Sequence, residues 1–488
     1  MKALKILGFF ASVIAVLGTL GLVVPDEGIA LGSAHLRYPT THSILAGHEQ
    51  EEPDPTAATE SPILTQMADS LCYFQQQTDN SDLRLWLPEP HYLDAFWAAA
   101  EQAQAKRRTL RVLHYGDSQI EMDHMTSRLR AHMQRTFGGG GPGMLPFHPI
   151  TPVVSVRQST QGALSLLSSF GDSLAVRSRG NYGVMMQCFR LNGSATTTVR
   201  ATNSSHVDDG VKQFSHVRLV ANSHEGTLRT ELTDLKHKKA VPTTEVSQKG
   251  VSMMEWKADG PTDAFRLHVS GNADLYALLI DSDSGGVAVD NIPMRGCSGQ
   301  QFTLVNKNLL TEAYGLLDVG LIILQFGGNS VPYLKSGKSI STYCQSLGKQ
   351  IDYIHQCCPQ AKILFIGPSD MCKHINGKPQ TYPVIPELID SLIVTVNAHD
   401  AAFWSIYHAM GGLNSMPVWA HKGLAGSDYI HFSQKGADLM GDHLAQALDN
   451  SYQRYRLEKR IELQRQKEAE SKDESAKHKQ KKGKGGAR

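Results

Sequence analysis

The sequence has no pair of cysteines at C-x-x-C spacing. Its seven cysteines, Cys72, Cys188, Cys297, Cys344, Cys357, Cys358 and Cys372, are scattered and odd in number. No zinc site is legible from them, and any set of disulfides within the chain leaves at least one thiol over. Net charge is nearly absent too: +1 over 488 residues gives no electrostatic case for a nucleic-acid partner. The small charge hides an asymmetry, because past residue 450 Lys and Arg outnumber Asp and Glu by about two to one, which leaves the body mildly acidic. Long hydrophobic runs are missing except at the start, where no charged residue occurs from Ile6 to Val24. That run reads as an export signal; at the ~17 to 25 apolar residues that span a bilayer it also reads as an uncleaved anchor, and so as a route to membrane association. Either reading takes the chain out of the cytoplasm, to the periplasm or cell envelope, with residues 1–25 as signal or anchor.

At 41% hydrophobic and 7% aromatic residues the chain is globular, and its length predicts two or three domains. Residues 26–60, with "EQEEPDPTAATESP", are polar and Pro/Glu-rich, as a linker is. Residues 61–105 carry helical patterns. "TLRVLHY" predicts a buried strand, and Met122, Met125, Leu129 and Met133 give the following segment a helical stripe. From about 161 to 285 the texture changes to short alternating runs such as "HVRLVA" and "AFRLHVS" between Gly, Asn, Asp and Ser turns, which predicts a β-sandwich. Strands and helices then alternate again: "LDVGLIILQFGGNS", a helix around 340–356, "AKILFIGPSD", a helix near 386–398, and a last helix with Ala437, Met440, Leu444 and Leu448 on its buried side. A parallel α/β sheet, residues 106–160 and 286–450, is thus interrupted and resumed. Residues 451–488, charge-dense and ending near "KHKQKKGKGG", predict a basic disordered tail.

Gly-Asp-Ser occurs twice, at Ser118 and Ser173. A serine hydroxyl is a poor nucleophile until a base takes its proton and a third group orients that base. Ser118 follows a buried strand and opens a helix, whereas "FGDSLAVRSRG" has no apolar strand before it, so Ser173 is expected to be a bystander. "GSDYIHFSQKGADLMGDHL" places Asp428 three residues before His431, just ahead of the last helix, whose packing would fix both. Donors for an oxyanion are offered by the turn "RGCSGQQF" at Gly299 and by "QFGGNS" at Asn329. Ser118, Gly299 and Asn329 all follow strands, and side chains past the carboxyl ends of parallel strands converge on one crevice. The glycine two residues after the serine that a nucleophile elbow needs is absent. His114, His124 and His132 lack a convincing ligand set with nearby carboxylates, so no metal site is expected.

Four blocks in this order, Gly116-Asp117-Ser118-Gln119, Gly296-Cys297-Ser298-Gly299, Gly327-Gly328-Asn329 and Asp428-Tyr429-Ile430-His431, resemble those of the SGNH, or GDSL-type, hydrolases. The context "YGDSQIEMDHMTSRLRAHMQRTFGGGGPGMLP" is similar to an exported subgroup that includes peptidoglycan O-acetylesterases and carries a β-rich, carbohydrate-module-like domain between the first two blocks. The gap from Ser118 to Gly299 agrees, being far longer than the ~30 residues of a simple βαβ unit. Gln119 departs from the subgroup, where His or Leu is usual. The resemblance implies a three-layer α/β/α, flavodoxin-like parallel sheet with an inserted β-sandwich. It further implies Ser118 as nucleophile, His431 as base, Asp428 as orienter, and the Ser118 and Gly299 amides with the Asn329 side chain as oxyanion hole. No cofactor is implied, and the substrate would be an acetylated envelope glycan. An O-acetyltransferase, or an inactive glycan-binding protein on the same fold, is the alternative.

Overall fold

The computed structural model describes residues 29–31, 34–36, 61–171, 180–204 and 206–484. The apolar run 6–24, nearly all of the linker and Ser173 lie outside the described residues. Contacts divide the chain into two units, residues 1–66 and 67–488. In the first, Ile29–Leu31 and Ala34–Leu36 pair antiparallel. Among the described residues no helix is long and apolar enough to cross a membrane.

The second unit is built on a six-stranded sheet. Its order is Gly286–Pro293, Thr109–Gly116, Val319–Gln325, Lys362–Gly367, Ala402–Ser405 and Leu85–Trp86, parallel except for the last. Taken in chain order, the five parallel strands lie 2-1-3-4-5, the doubly wound arrangement in which the strand order reverses between the first and third strands. Strands buried on both faces read as continuous apolar runs, and Leu110 to Gly116 are buried without a break. One face packs Leu113, Tyr115, Ile322 and Leu324 against helices Lys307–Gly315, Gly337–Cys357 and Ile385–Ala398. The other packs Leu110, Val112, Leu321 and Ile323 against Asp94–Ala103, His124–Phe137 and the last helix. This is the expected three-layer α/β/α fold. Ala437, Met440, Leu444 and Leu448 are buried as the stripe requires. Met122 is not: it lies before the helix start, in the left-handed region at φ 62°, with its side chain exposed. The stripe therefore begins at Met125.

The inserted β-rich region is present, with two differences from the sequence expectation. It begins at Gly143–Leu145, a strand too short to show periodicity, and its seven antiparallel strands share one hydrogen-bonded sheet instead of two. Long strands explain this: Phe214–Asp234 and Ala264–Asp281 pair along most of their length, and bulges near Asn272 and Ala277 bend them so that one face closes over its own apolar cluster. The other face is shared with the parallel sheet, since Met144, Tyr276, Ala277 and Leu279 belong to the same buried cluster as Leu113, Tyr115 and Ile292. Buried charges reinforce the seam. Arg111 on the Thr109–Gly116 strand, fully buried, donates to Asp290 at 2.6 and 2.8 Å and to Asp281 of the inserted sheet at 2.8 Å.

The segment expected to be a disordered tail is instead helical through Lys484, within the 51-residue helix Gln434–Lys484. Its Glu, Gln, Lys, Arg and Ala are strong helix formers, and pairs four apart such as Asp473–Lys477 and Gln464–Glu468 support it. Tyr452 and Ile461 are buried.

Candidate active site

The crevice lies where the doubly wound rule puts it, at the carboxyl ends of the first and third strands. The Thr109–Gly116 strand delivers Asp117 and Ser118 onto a short 3-10 turn, Ser118–Asp123, that precedes the helix. The Val319–Gln325 strand delivers Gly327, Gly328 and Asn329. Ser118 and His431, 313 residues apart, meet with the serine Oγ 2.9 Å from the imidazole Nε2. The ring's Nδ1 lies 2.8 Å from Asp428 Oδ2. Asp428 Oδ1 accepts the Ile430 and His431 backbone N–H groups at 3.0 and 3.1 Å. Burial pushes the Asp428 carboxyl up, but these hydrogen bonds outweigh it and hold the group below the usual carboxylate range. The carboxylate is therefore charged and suited to keep the Nδ1 proton on the ring, which leaves Nε2 free to accept from Ser118.

The oxyanion candidates are arranged less directly. The Asn329 Nδ2 donates to Asp117 Oδ2 at 3.2 Å and to the Cys297 carbonyl at 3.0 Å, which ties the third block to the first and second. Gly299 adopts φ 84°, and a Cβ there would meet the Phe326 ring at 2.9 Å, so only glycine fits. The neighbouring Ser298 carbonyl accepts from the Tyr343 hydroxyl at 2.8 Å. Gly299 does not itself line the cleft of about 200 Å³ that holds Ser118, Asn329 and His431.

Asp117 is buried and supports the turn: its Oδ1 accepts the Gln119 N–H at 3.0 Å, and burial pushes its carboxyl up to about 6. Cys297 is buried, with its thiol pushed up to about 12 by burial, as in a packing residue. All seven cysteines are free. His114 is a core histidine: burial drives it down to about 4, and it bridges Gln325 and Thr126 at 3.0 Å each. His124 opens the helix over the sheet, and His132 on the same helix lies 3.5 Å from Asp449.

Three features of the site escape the sequence reading. Pro368 and Ser369, just past the Lys362–Gly367 strand, line the cleft; the strand-end rule that located Asn329 would have found them. Tyr333 lines the cleft with 78% of its surface exposed. The Gln119 side chain bonds the backbone on both sides of His431. A second cavity, of about 110 Å³, is lined by Glu121 and Asp123 from the serine turn and by Met144, Phe170 and Met185 from the inserted region.

No family model matches the chain, and no curated protein does. Among solved structures it is similar to one described as "Peptidoglycan O-acetylesterase in action", with a TM-score of 0.59 and 22% identity over 73% of this chain and 96% of that one. Weaker likenesses, which carry no argument, are to a family two carbohydrate esterase from Clostridium thermocellum and to a lipopolysaccharide acetyltransferase periplasmic domain from Salmonella ser. Paratyphi A. The first has a TM-score of 0.26 at 9% identity over 60% of this chain and 100% of that one. The second has 0.25 at 14% over 33% and 72%. At 22% identity the strongest of these likenesses establishes architecture: the chain has the fold of that peptidoglycan O-acetylesterase, as its resemblance to the SGNH hydrolases implies.

Proposed function

We propose that this chain is a metal-independent serine esterase that removes O-acetyl groups from a cell-envelope glycan. The observation that carries the reading is the continuous relay from Ser118 Oγ through the His431 ring to Asp428, at 2.9 and 2.8 Å. Ser118 attacks the ester carbonyl as His431 Nε2 takes its proton. The tetrahedral oxyanion is met by the Ser118 amide and by Asn329 Nδ2, which gives up its bond to the Cys297 carbonyl to reach it, while Gly299, outside the cleft, shapes the second-block turn; His431 returns the proton to the departing sugar hydroxyl, and water then hydrolyses the acetyl-enzyme. If a second sugar hydroxyl replaces water, the same steps give a transferase. Acetate release, measured against acetyl transfer to an added glycan, tests the choice, and transfer without release would replace the hydrolase reading. Residues 6–24 serve export or anchoring in this proposal, and recovery of the protein in the cytoplasmic fraction would refute that part.

Asn329→Ala is expected to lower kcat by about 10² to 10³, as for loss of one oxyanion donor, with KM changed little. A steady-state titration with a chromogenic acetyl ester measures it. An equal rise in KM would make Asn329 a binding group instead.

A sugar polymer suits this crevice better than a lipid. Tyr333 offers an exposed ring at the cleft, and Phe170 and Met185, in loops of the inserted region, line a second cavity together with Glu121 and Asp123 of the serine turn. Tyr333→Ala and Phe170→Ala are expected to lower activity on polymeric acetylated glycan several-fold while sparing a small acetyl ester. Equal losses on both substrates would remove the positioning role.

A further inference from the structure

The Ser118–His431 contact joins two segments far apart in the chain, and the one bearing the histidine is a turn whose carboxylate and imidazole face solvent. Asp428 and His431 are each about half exposed, and Tyr429 between them sits in the left-handed region at φ 55°, a conformation that costs a non-glycine residue free energy. The turn is tied by Gly426 N–H to the His431 carbonyl at 2.8 Å and by Cys372 N–H to the Tyr429 carbonyl at 3.1 Å. Neither bond links it to the serine.

Gln119 does. Its Nε2 donates to the Ile430 carbonyl at 2.7 Å, and its Oε1 accepts the Phe432 N–H at 3.3 Å, so one primary amide spans the residues before and after His431. Its own backbone N–H is held by Asp117 Oδ1 at 3.0 Å. Nucleophile and base are therefore flanked by the same residue. A carboxylate of similar length can accept but not donate, and a methionine fills the space but does neither.

We propose that Gln119 is a positioning residue that locks the base-bearing turn onto the nucleophile-bearing turn, so that His431 Nε2 stays within reach of Ser118 Oγ. The inference rests on the serine-esterase reading above and assigns a role to the position at which the first block departs from the resembling esterases. Misplacing a catalytic group by about 1 Å costs on the order of 10² in rate, whereas substrate binding does not depend on that contact. The effect is expected in kcat.

The test uses the full chain with Gln119→Met and Gln119→Glu, a small acetyl ester, and residue-resolved amide hydrogen exchange. Gln119→Met should lower kcat by roughly 10- to 100-fold with KM within about 3-fold. It should also speed exchange of the Phe432 amide, with the thermal midpoint changed little. Gln119→Glu keeps the acceptor, so it should restore Phe432 protection and recover part of kcat. Wild-type kcat in Gln119→Met would overturn the proposal, and so would slowed turnover with Phe432 exchange unchanged. The two readings fail separately: an active Ser118→Ala variant would sink the esterase mechanism, while Phe432 exchange would still report whether Gln119 holds the turn.

Discussion

Ser118→Ala and His431→Ala are each expected to lower kcat by roughly 10³ to 10⁶ while leaving the fold intact, and the double variant to lose little more than either single one. In the proposed mechanism nucleophile and base act as one unit: without the imidazole the hydroxyl keeps its proton, and without the hydroxyl the imidazole has nothing to activate. The structure makes the fold-intact condition realistic. Ser118 is half-buried at a turn whose backbone is held by Asp117, and His431 is exposed, so neither alanine opens a core cavity. Residual turnover should come from the oxyanion donors alone, which is why the losses have a floor. The measurement is single-turnover acetate release with far-UV circular dichroism as the check on folding. Activity surviving in Ser118→Ala would end the assignment and direct attention to Ser173.

The residues of the candidate site could be picked out from chemistry, because a nucleophile, a base, an orienter and oxyanion donors each call for particular residue types at turns that packing holds in place. Ser118 and Asn329 follow strands and line one cleft, and Asp428 and His431, just ahead of the last helix, stand in hydrogen-bond series with Ser118. Apolar runs and stripes made the parallel sheet and its helices legible for the same reason: burial imposes a period. The misses share a cause. Gln119 works through the backbone of Ile430 and Phe432, and a backbone partner leaves no residue-type signal. Arg111 sits inside "TLRVLHY" as an apparent exception to an apolar strand, and its partners lie 170 and 179 residues further on. Met122 matched the helical spacing but lies in the turn after Ser118, before the helix starts at His124. The terminal segment has charges but no apolar period, and local pairing together with helix propensity, not burial, carries most of its helix.

Arg111→Met is expected to destabilise the protein by about 3 to 5 kcal/mol, a large part of the ~5 to 15 kcal/mol that holds an ordinary domain together. The reason is what remains behind. Asp281 and Asp290 are almost fully buried. Burial pushes Asp281 up, but Arg111 and Arg218 outweigh it and hold that carboxylate in its charged form. Without the guanidinium, Asp290 keeps only the Met144 N–H at 2.8 Å, and Asp281 keeps only Arg218. Arg111→Met/Asp281→Asn/Asp290→Asn should recover part of the loss, because an uncompensated buried charge costs more than an absent pair. Urea unfolding of the two variants beside the wild type measures both effects, and a loss under about 1 kcal/mol in Arg111→Met would show that the seam does not depend on the network. The same residues change what the inserted sheet can be. Replacing 161–285 by a flexible linker would remove Asp281 and strip Tyr276, Ala277 and Leu279 from Leu113 and Tyr115, so the expected outcome is misfolding, not an esterase that has lost its polymer. The insertion is part of the body that holds the Thr109–Gly116 strand in place. A glycan-positioning role for it has to be sought in point variants such as Phe170→Ala, which leave the Arg111 network untouched.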